Sequence, residues 1–174
     1  MNFDNTQKDI GTYILPFLEK SLCINMTYQE KEKINKIIFK KIKVKNLAEA
    51  YDIPDFKSNY GKIFVNIALN RFLKEILKEE YFVRVISGSR YLKYKDKNLL
   101  INYFPIGSLP SLDFNHNQHL IVGYNLGKNK IYIFGELDIS FNNKKEFETF
   151  KSNNTLSGGN YFYSFELLKP FIYD

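Results

Sequence analysis

The stretch HLIVGYNLGKNKIYIFGELDIS, residues 119–140, is two apolar, β-branched and aromatic runs set around Gly127-Lys128-Asn129. The runs His119 to Leu126 and Lys130 to Leu137 have strand length, and glycine and asparagine supply the left-handed backbone that a tight reversal needs. An antiparallel hairpin follows, and it makes the C-terminal part of the chain a sheet rather than a helical bundle.

Upstream of this hairpin the same period continues. Tyr81 to Ser87 reads as a strand ended by Gly88, and Tyr91 to Tyr94 and Leu99 to Phe104 flank a turn at Asp96-Lys97-Asn98. The segment from Gly107 to Asn117, which holds Pro110, reads as a loop. Downstream, Lys144 to Phe150 predicts a short helix, Ser157-Gly158-Gly159 a turn, and Tyr161 to Leu167 a closing strand.

Before Tyr81 the apolar period becomes helical. Thr27 followed by Glu30 has capping-box spacing, and Ile34, Ile37, Ile38 and Ile42 then recur at helical intervals, predicting a helix over 28–43. Its remaining positions carry Lys31, Lys33, Lys36, Lys40, Lys41 and Lys43, so that face is strongly basic. Residues 46–56 superficially resemble the first helix and turn of a helix-turn-helix, but Asp52 stands where the turn favours glycine. A longer helix starting at Ser58 or Asn59 and reaching about Glu80 aligns Phe64, Ile67, Ala68, Phe72, Ile76 and Leu77 on one face, as a core helix would.

These elements predict a single α+β domain over 1–174, with a helical part at 1–57 and an α/β core at 58–174 built on a central mixed sheet. A chain of 174 residues suits one such unit with one substantial core. Lys and Arg total 25 against 19 Asp and Glu, a formal charge of +6 that favours polyanionic partners but falls short of a dedicated nucleic-acid coat. Cys23 is the sole cysteine, so no internal disulfide forms and it reads as a buried small hydrophobe. The N-terminus lacks a basic region followed by an apolar run of signal-peptide length, and no apolar stretch reaches membrane-spanning length. The expectation is a cytoplasmic protein with no membrane partner.

Chemistry-bearing motifs are sparse. There is no glycine-rich phosphate loop, CxxC pair, HExxH or GxSxG element, which excludes P-loop nucleotide hydrolysis and the corresponding zinc and serine enzymes. The only acid-x-Lys triplet, Asp55-Phe56-Lys57, follows a proline and lies outside the strands. The two histidines, His116 and His119, share a polar stretch with Asp113, which lacks a second ligand pair for a zinc site. Glu136 and Asp138 alternate on one face at a strand end, and with Asp113 they are the candidate catalytic carboxylates and the candidate Mg²⁺ ligands.

From Tyr60 onward, the order is a core helix, a strand at 81–87, a second strand beside a lysine-rich turn, a loop, the 119–137 strand pair, the helix around KKEFETF and the closing YFYSFELLKPF. This order resembles the C-terminal course of small PD-(D/E)xK nuclease-like proteins of phages and bacteria. The resemblance implies a restriction-endonuclease-like core in which acids on consecutive strands hold Mg²⁺ and a lysine steadies the attacking water. At the matching strands this chain has Val83-Arg84-Val85-Ile86 and Tyr91-Leu92-Lys93-Tyr94. Arg84 stands where the acid belongs and Ile86 where the lysine belongs, so the resemblance implies a catalytically degraded member of phage or mobile-element type.

The expected function is therefore DNA or RNA binding through backbone charge. The basic residues that carry it are Lys36, Lys40 and Lys43 on the first helix and Arg84, Arg90, Lys93 and Lys95 on the strands, with Tyr91 and Tyr94 available to stack on bases. Two alternatives stay open. One is an active Mg²⁺-dependent nuclease using Asp113, Glu136 and Asp138, and the other is a protein-interaction module such as an inhibitor or assembly subunit.

Overall fold

A sheet whose two faces are both apolar must be covered on both sides, and the two halves of this chain divide that task. The computed structural model describes residues 10–42, 56–78, 81–86 and 89–171. Six strands form one sheet in the order β1-β6-β5-β4-β3-β2, with β1 at Leu22–Asn25, β2 at Tyr81–Ile86, β3 at Ser89–Tyr94, β4 at Lys97–Pro105, β5 at Gln118–Asn125 and β6 at Lys130–Asp138. The sheet is mixed, because β4 and β5 are parallel while the other neighbours are antiparallel. Four α-helices accompany it among the described residues: α1 at Leu15–Leu18, α2 at Tyr28–Ile42, α3 at Phe56–Leu77 and α4 at Lys144–Asn154. The chain is α+β.

One face is covered by α3. Its Phe64, Val65, Ala68, Leu69, Leu73 and Leu77 are buried and pack with Leu92, Leu99, Ile101, Leu120, Val122, Ile131 and Ile133 from the strands. Each fully buried large side chain contributes about 1.5–3 kcal/mol. Gly61 is the point of closest approach, since a methyl there would sit 2.5 Å from the Tyr124 ring. Outside α3 lies α2, anchored by the fully buried Ile34 and by Arg71 Nε, which donates to Glu30 Oε2 at 2.9 Å. The capping box forms as the spacing predicts: Thr27 Oγ1 accepts from Glu30 N at 3.1 Å and Glu30 Oε1 accepts from Thr27 N at 2.9 Å. Of the expected apolar stripe, however, Ile37 is 40% exposed.

The opposite face is covered without a long helix. Ile14, Leu109, Leu112, Phe162 and Phe165 bury against Phe104, Ile121 and Leu137. Two parallel strands cannot be joined by a tight turn, so the chain must return across the sheet between Pro105 and Gln118. That return is the 106–117 segment. Asn102 Nδ2 donates to Ser111 O at 2.9 Å, Leu112 N to Asn160 O at 2.9 Å, and Phe162 N to Pro110 O at 2.9 Å, so the crossover is stitched to the sheet and to the C-terminal segment. Phe114 packs edge-on against Phe147 of α4, with ring centroids 5.1 Å apart. The helix itself is capped by Asn143, whose side chain accepts from Glu146 N at 2.9 Å.

Several sequence expectations are corrected. The reversal between β3 and β4 is Lys95-Asp96, with Lys95 at φ 54°, so Lys97 and Asn98 belong to the strand. Tyr161 to Leu167 is not a strand: Tyr161 and Phe162 make isolated bridges, and Phe165–Leu167 is a 3₁₀ turn. Strand β1, unanticipated, pairs with β6, and its Cys23, expected to be buried, is exposed on this edge strand. Asp55, Lys43 and most of the helix-turn-helix-like segment at 46–56 lie outside the described residues.

A bulge between Ile121/Val122 and their β6 partners changes which face each residue meets, because Phe134 is an extra residue there. Ile131 and Ile133 face α3, and beyond the bulge Leu137 faces the other way. The bulge is fixed by Gly135, whose φ of +142° suits glycine and whose missing Cβ makes room for the carbonyl of Lys169. Gly135→Ala is expected to destabilise the protein by about 3 kcal/mol or more, through backbone strain and that clash. Urea denaturation of the variant beside the parent measures it, and an unchanged midpoint would contradict this account of the bulge.

Candidate functional site

The crossover ends where three strands end, and the polar residues of all three meet there. The start of β4, the start of β5 and the end of β6 enclose a cleft of about 530 Å³, walled by Asn98, His116, Asn117, Gln118, Asp138 and Ser140 among others. Two hydrogen bonds fix its rim: the backbone bond from Ile139 N to Asn117 O at 2.7 Å, and one from Asn98 N to the side-chain Oε1 of Gln118 at 3.3 Å.

His116 is held from two sides. Its Nε2 lies 2.8 Å from the Tyr91 hydroxyl, and the rings are 5.4 Å apart. Its Nδ1 lies 3.1 Å from Asp113 Oδ2, an ion-pair distance that lacks hydrogen-bond alignment. Which of Nε2 and the tyrosine hydroxyl donates depends on the tautomer of the imidazole. Asp113 is itself oriented, as its Oδ1 accepts from Asn115 N at 3.0 Å.

Beneath this pair, His119 is fully buried, with Nε2 3.2 Å from His116 O and no partner for Nδ1. Burial pushes its pKa down, and the backbone carbonyls of His116 and Asp113 only partly oppose the shift. At neutral pH it is an uncharged strut under the crossover.

The three carboxylates singled out from the sequence are not brought together. Leu120 and Glu136 are directly paired, so Glu136 faces the α3 side, where its carboxylate is 8% exposed and Lys97 Nζ lies 3.0 Å away. Asp113 sits on the crossover, across the sheet. Asp138 lies at the cleft, 3.5 Å from Lys169 Nζ, with both side chains substantially exposed. Among the described residues no group of three His, Cys, Asp or Glu side chains is placed to hold a metal ion.

The basic residues also divide. Residues three apart on a strand point to opposite faces, which separates Arg90 from Lys93 and Tyr91 from Tyr94. Tyr94 packs into the core on the α3 side, and Lys95 Nζ lies 5.1 Å over its ring. Tyr91 is engaged with His116, so the two tyrosines do not form one stacking platform. Lys93 pairs with Asn98, beside the cleft. Arg84 pairs with Tyr91 in the backbone register. Lys36 and Lys40 are exposed on α2, which follows the opposite edge strand, β1.

Sequence reasoning missed Lys97 as a site residue and, although it singled out Tyr91 for base stacking, missed the contact of Tyr91 with His116. Lys97 was assigned to a turn, and the contact of Tyr91 with His116 spans 25 positions. Only knowledge of the strand register could have revealed either.

Removing Lys97 leaves a buried carboxylate uncompensated, whereas the Lys169–Asp138 pair is exposed and screened. Lys97→Ala is expected to cost about 1–3 kcal/mol, allowing for its half-exposed ammonium, and Lys169→Ala less than about 1 kcal/mol. Equal urea midpoints for the two variants would contradict this ranking. His119 gives a pH signature. Its folded pKa lies below the usual 6.5, so as pH falls past that value the unfolded chain takes up a proton that the folded chain refuses. Its contribution to stability is complete above that pH and declines below it, and His119→Gln should flatten the fall in unfolding midpoint between about pH 7 and pH 5. Comparison with known proteins gives no match to this chain among family models, curated proteins or solved structures, so the functional reading rests on this geometry.

Proposed function

We propose that this chain binds nucleic acid, DNA or RNA, chiefly through the phosphate backbone, on a nuclease-like core without metal-dependent hydrolysis. The observation that carries the reading is a row of exposed lysines on a helix whose other face is fixed to the body of the protein. Lys33, Lys36 and Lys40 are exposed on α2 at helical spacing, across about 10 Å of helix. Between Tyr28 and Lys40, four lysines oppose two carboxylates. Glu30 is tied to Arg71, which leaves Glu32 as the one carboxylate on this stretch against the row.

Ammonium groups held at a rigid surface neutralise phosphates and release counterions. The overall charge of +6 draws a polyanion toward that surface. The separation of Asp113, Glu136 and Asp138 supports binding without Mg²⁺-assisted cleavage, since a metal-held phosphate needs carboxylates that converge.

The test is fluorescence anisotropy with labelled single- and double-stranded DNA and RNA over a salt series, with and without Mg²⁺. The expected result is a complex that weakens steeply with salt, is indifferent to Mg²⁺ and leaves the nucleic acid intact. Lys36→Ala and Lys40→Ala should each lower the slope of log K against log salt by roughly one. Negligible affinity at physiological salt would overturn the reading in favour of a protein partner, and metal-dependent cleavage would overturn it in favour of an active nuclease.

A further inference from the structure

The cleft at the ends of β4, β5 and β6 differs in kind from the lysine row. Half of the residues along it bear amides, namely Asn98, Asn115, Asn117 and Gln118; Ser140 and Asp138 join them, and Gln118 Oε1 is already engaged by Asn98 N. It is an open depression of about 530 Å³, broad enough to receive one planar group. Side-chain amides carry both donors and acceptors, the chemistry that pairs with the edge of a nucleobase. The imidazole of His116 stands in the same wall, held by Tyr91 and Asp113, and an immobilised ring of this kind gives a base a surface to stack on.

A lysine starts beside the cleft, although the charged side chain in the lining itself is the carboxylate of Asp138. Lys93 is the direct cross-strand partner of Asn98, so its side chain leaves the sheet on the same face, about 5 Å away at Cβ. A base entering the cleft past Asn98 would bring its phosphate to that ammonium. The side chains of Asn98, Asn115 and Asn117 are exposed, so their amide groups are open to solvent rather than committed to the core.

Building on the backbone-binding reading above, we propose that this cleft takes one unstacked nucleobase of a single-stranded nucleic acid, with the amides of Asn98 and Asn117 meeting its edge and Lys93 its phosphate. Such a site makes affinity depend on the base as well as the backbone. It also favours single strands, because a paired and stacked base cannot enter.

The experiment compares a short labelled single-stranded oligonucleotide with the same oligonucleotide made abasic, using the full chain and anisotropy. The expected result is roughly tenfold tighter binding of the base-containing strand, the size of one good edge contact. Asn98→Ala and Asn117→Ala should abolish that difference while leaving the abasic affinity and the salt slope as in the parent. Both side chains are exposed and the hydrogen bonds of the rim are retained, and circular dichroism checks the fold of each variant. Equal affinity of the parent for the two strands, or variants that keep the tenfold difference, would overturn the base site and leave backbone binding standing. Binding to neither strand would overturn both.

Discussion

The parallel pairing of β4 with β5 is the constraint on which the rest of the molecule depends. Every other neighbouring pair in the sheet is antiparallel, and parallel strands require the chain to travel back along the sheet before the second can begin. The return path, residues 106–117, does three things at once. It buries Leu109 and Leu112 and so helps to cover a face that has no long helix. It presents Phe114 to the aromatic side chains of α4. Its last residues carry Asp113 and His116 to the place where three strands end. A simple hairpin between β4 and β5 would leave no segment to carry these groups.

The second determining feature is the bulge at Phe134-Gly135. Strand alternation is a rigid rule until an extra residue enters, and after that the inward and outward sets exchange places. Here the exchange sends Glu136 to the α3 side, where Lys97 neutralises it at 3.0 Å. A carboxylate this buried is tolerated only with such a partner. The same exchange parts Glu136 from Asp113, so the carboxylates cannot converge on one ion.

Charge and polarity therefore sit in different places. The exposed lysines lie on α2, which packs on α3, and the cleft lies at one end of the central strands. A row of ammonium groups has no means of distinguishing one base from another, whereas a cleft of amides does.

Much of the fold was legible in local sequence. The 119–137 hairpin, the capping box at Thr27 and Glu30, the long core helix and the short helix after Asn143 follow from period, turn residues and caps, all of which act over a few positions. The α+β class followed from the same signals. What the tertiary structure alone decided was pairing over distance. The place of β1 beside β6, the parallel step, the bulge, the contact of Tyr91 with His116 and the burial of Glu136 against Lys97 all join residues far apart in sequence. So too did the conversion of the expected last strand into bridges and a 3₁₀ turn, because its backbone groups found partners on the crossover instead of on a neighbouring strand. Local propensity fixes which residues form strands and helices, but which side chains share a face and meet in a site depends on register, and register is set only when the whole sheet assembles.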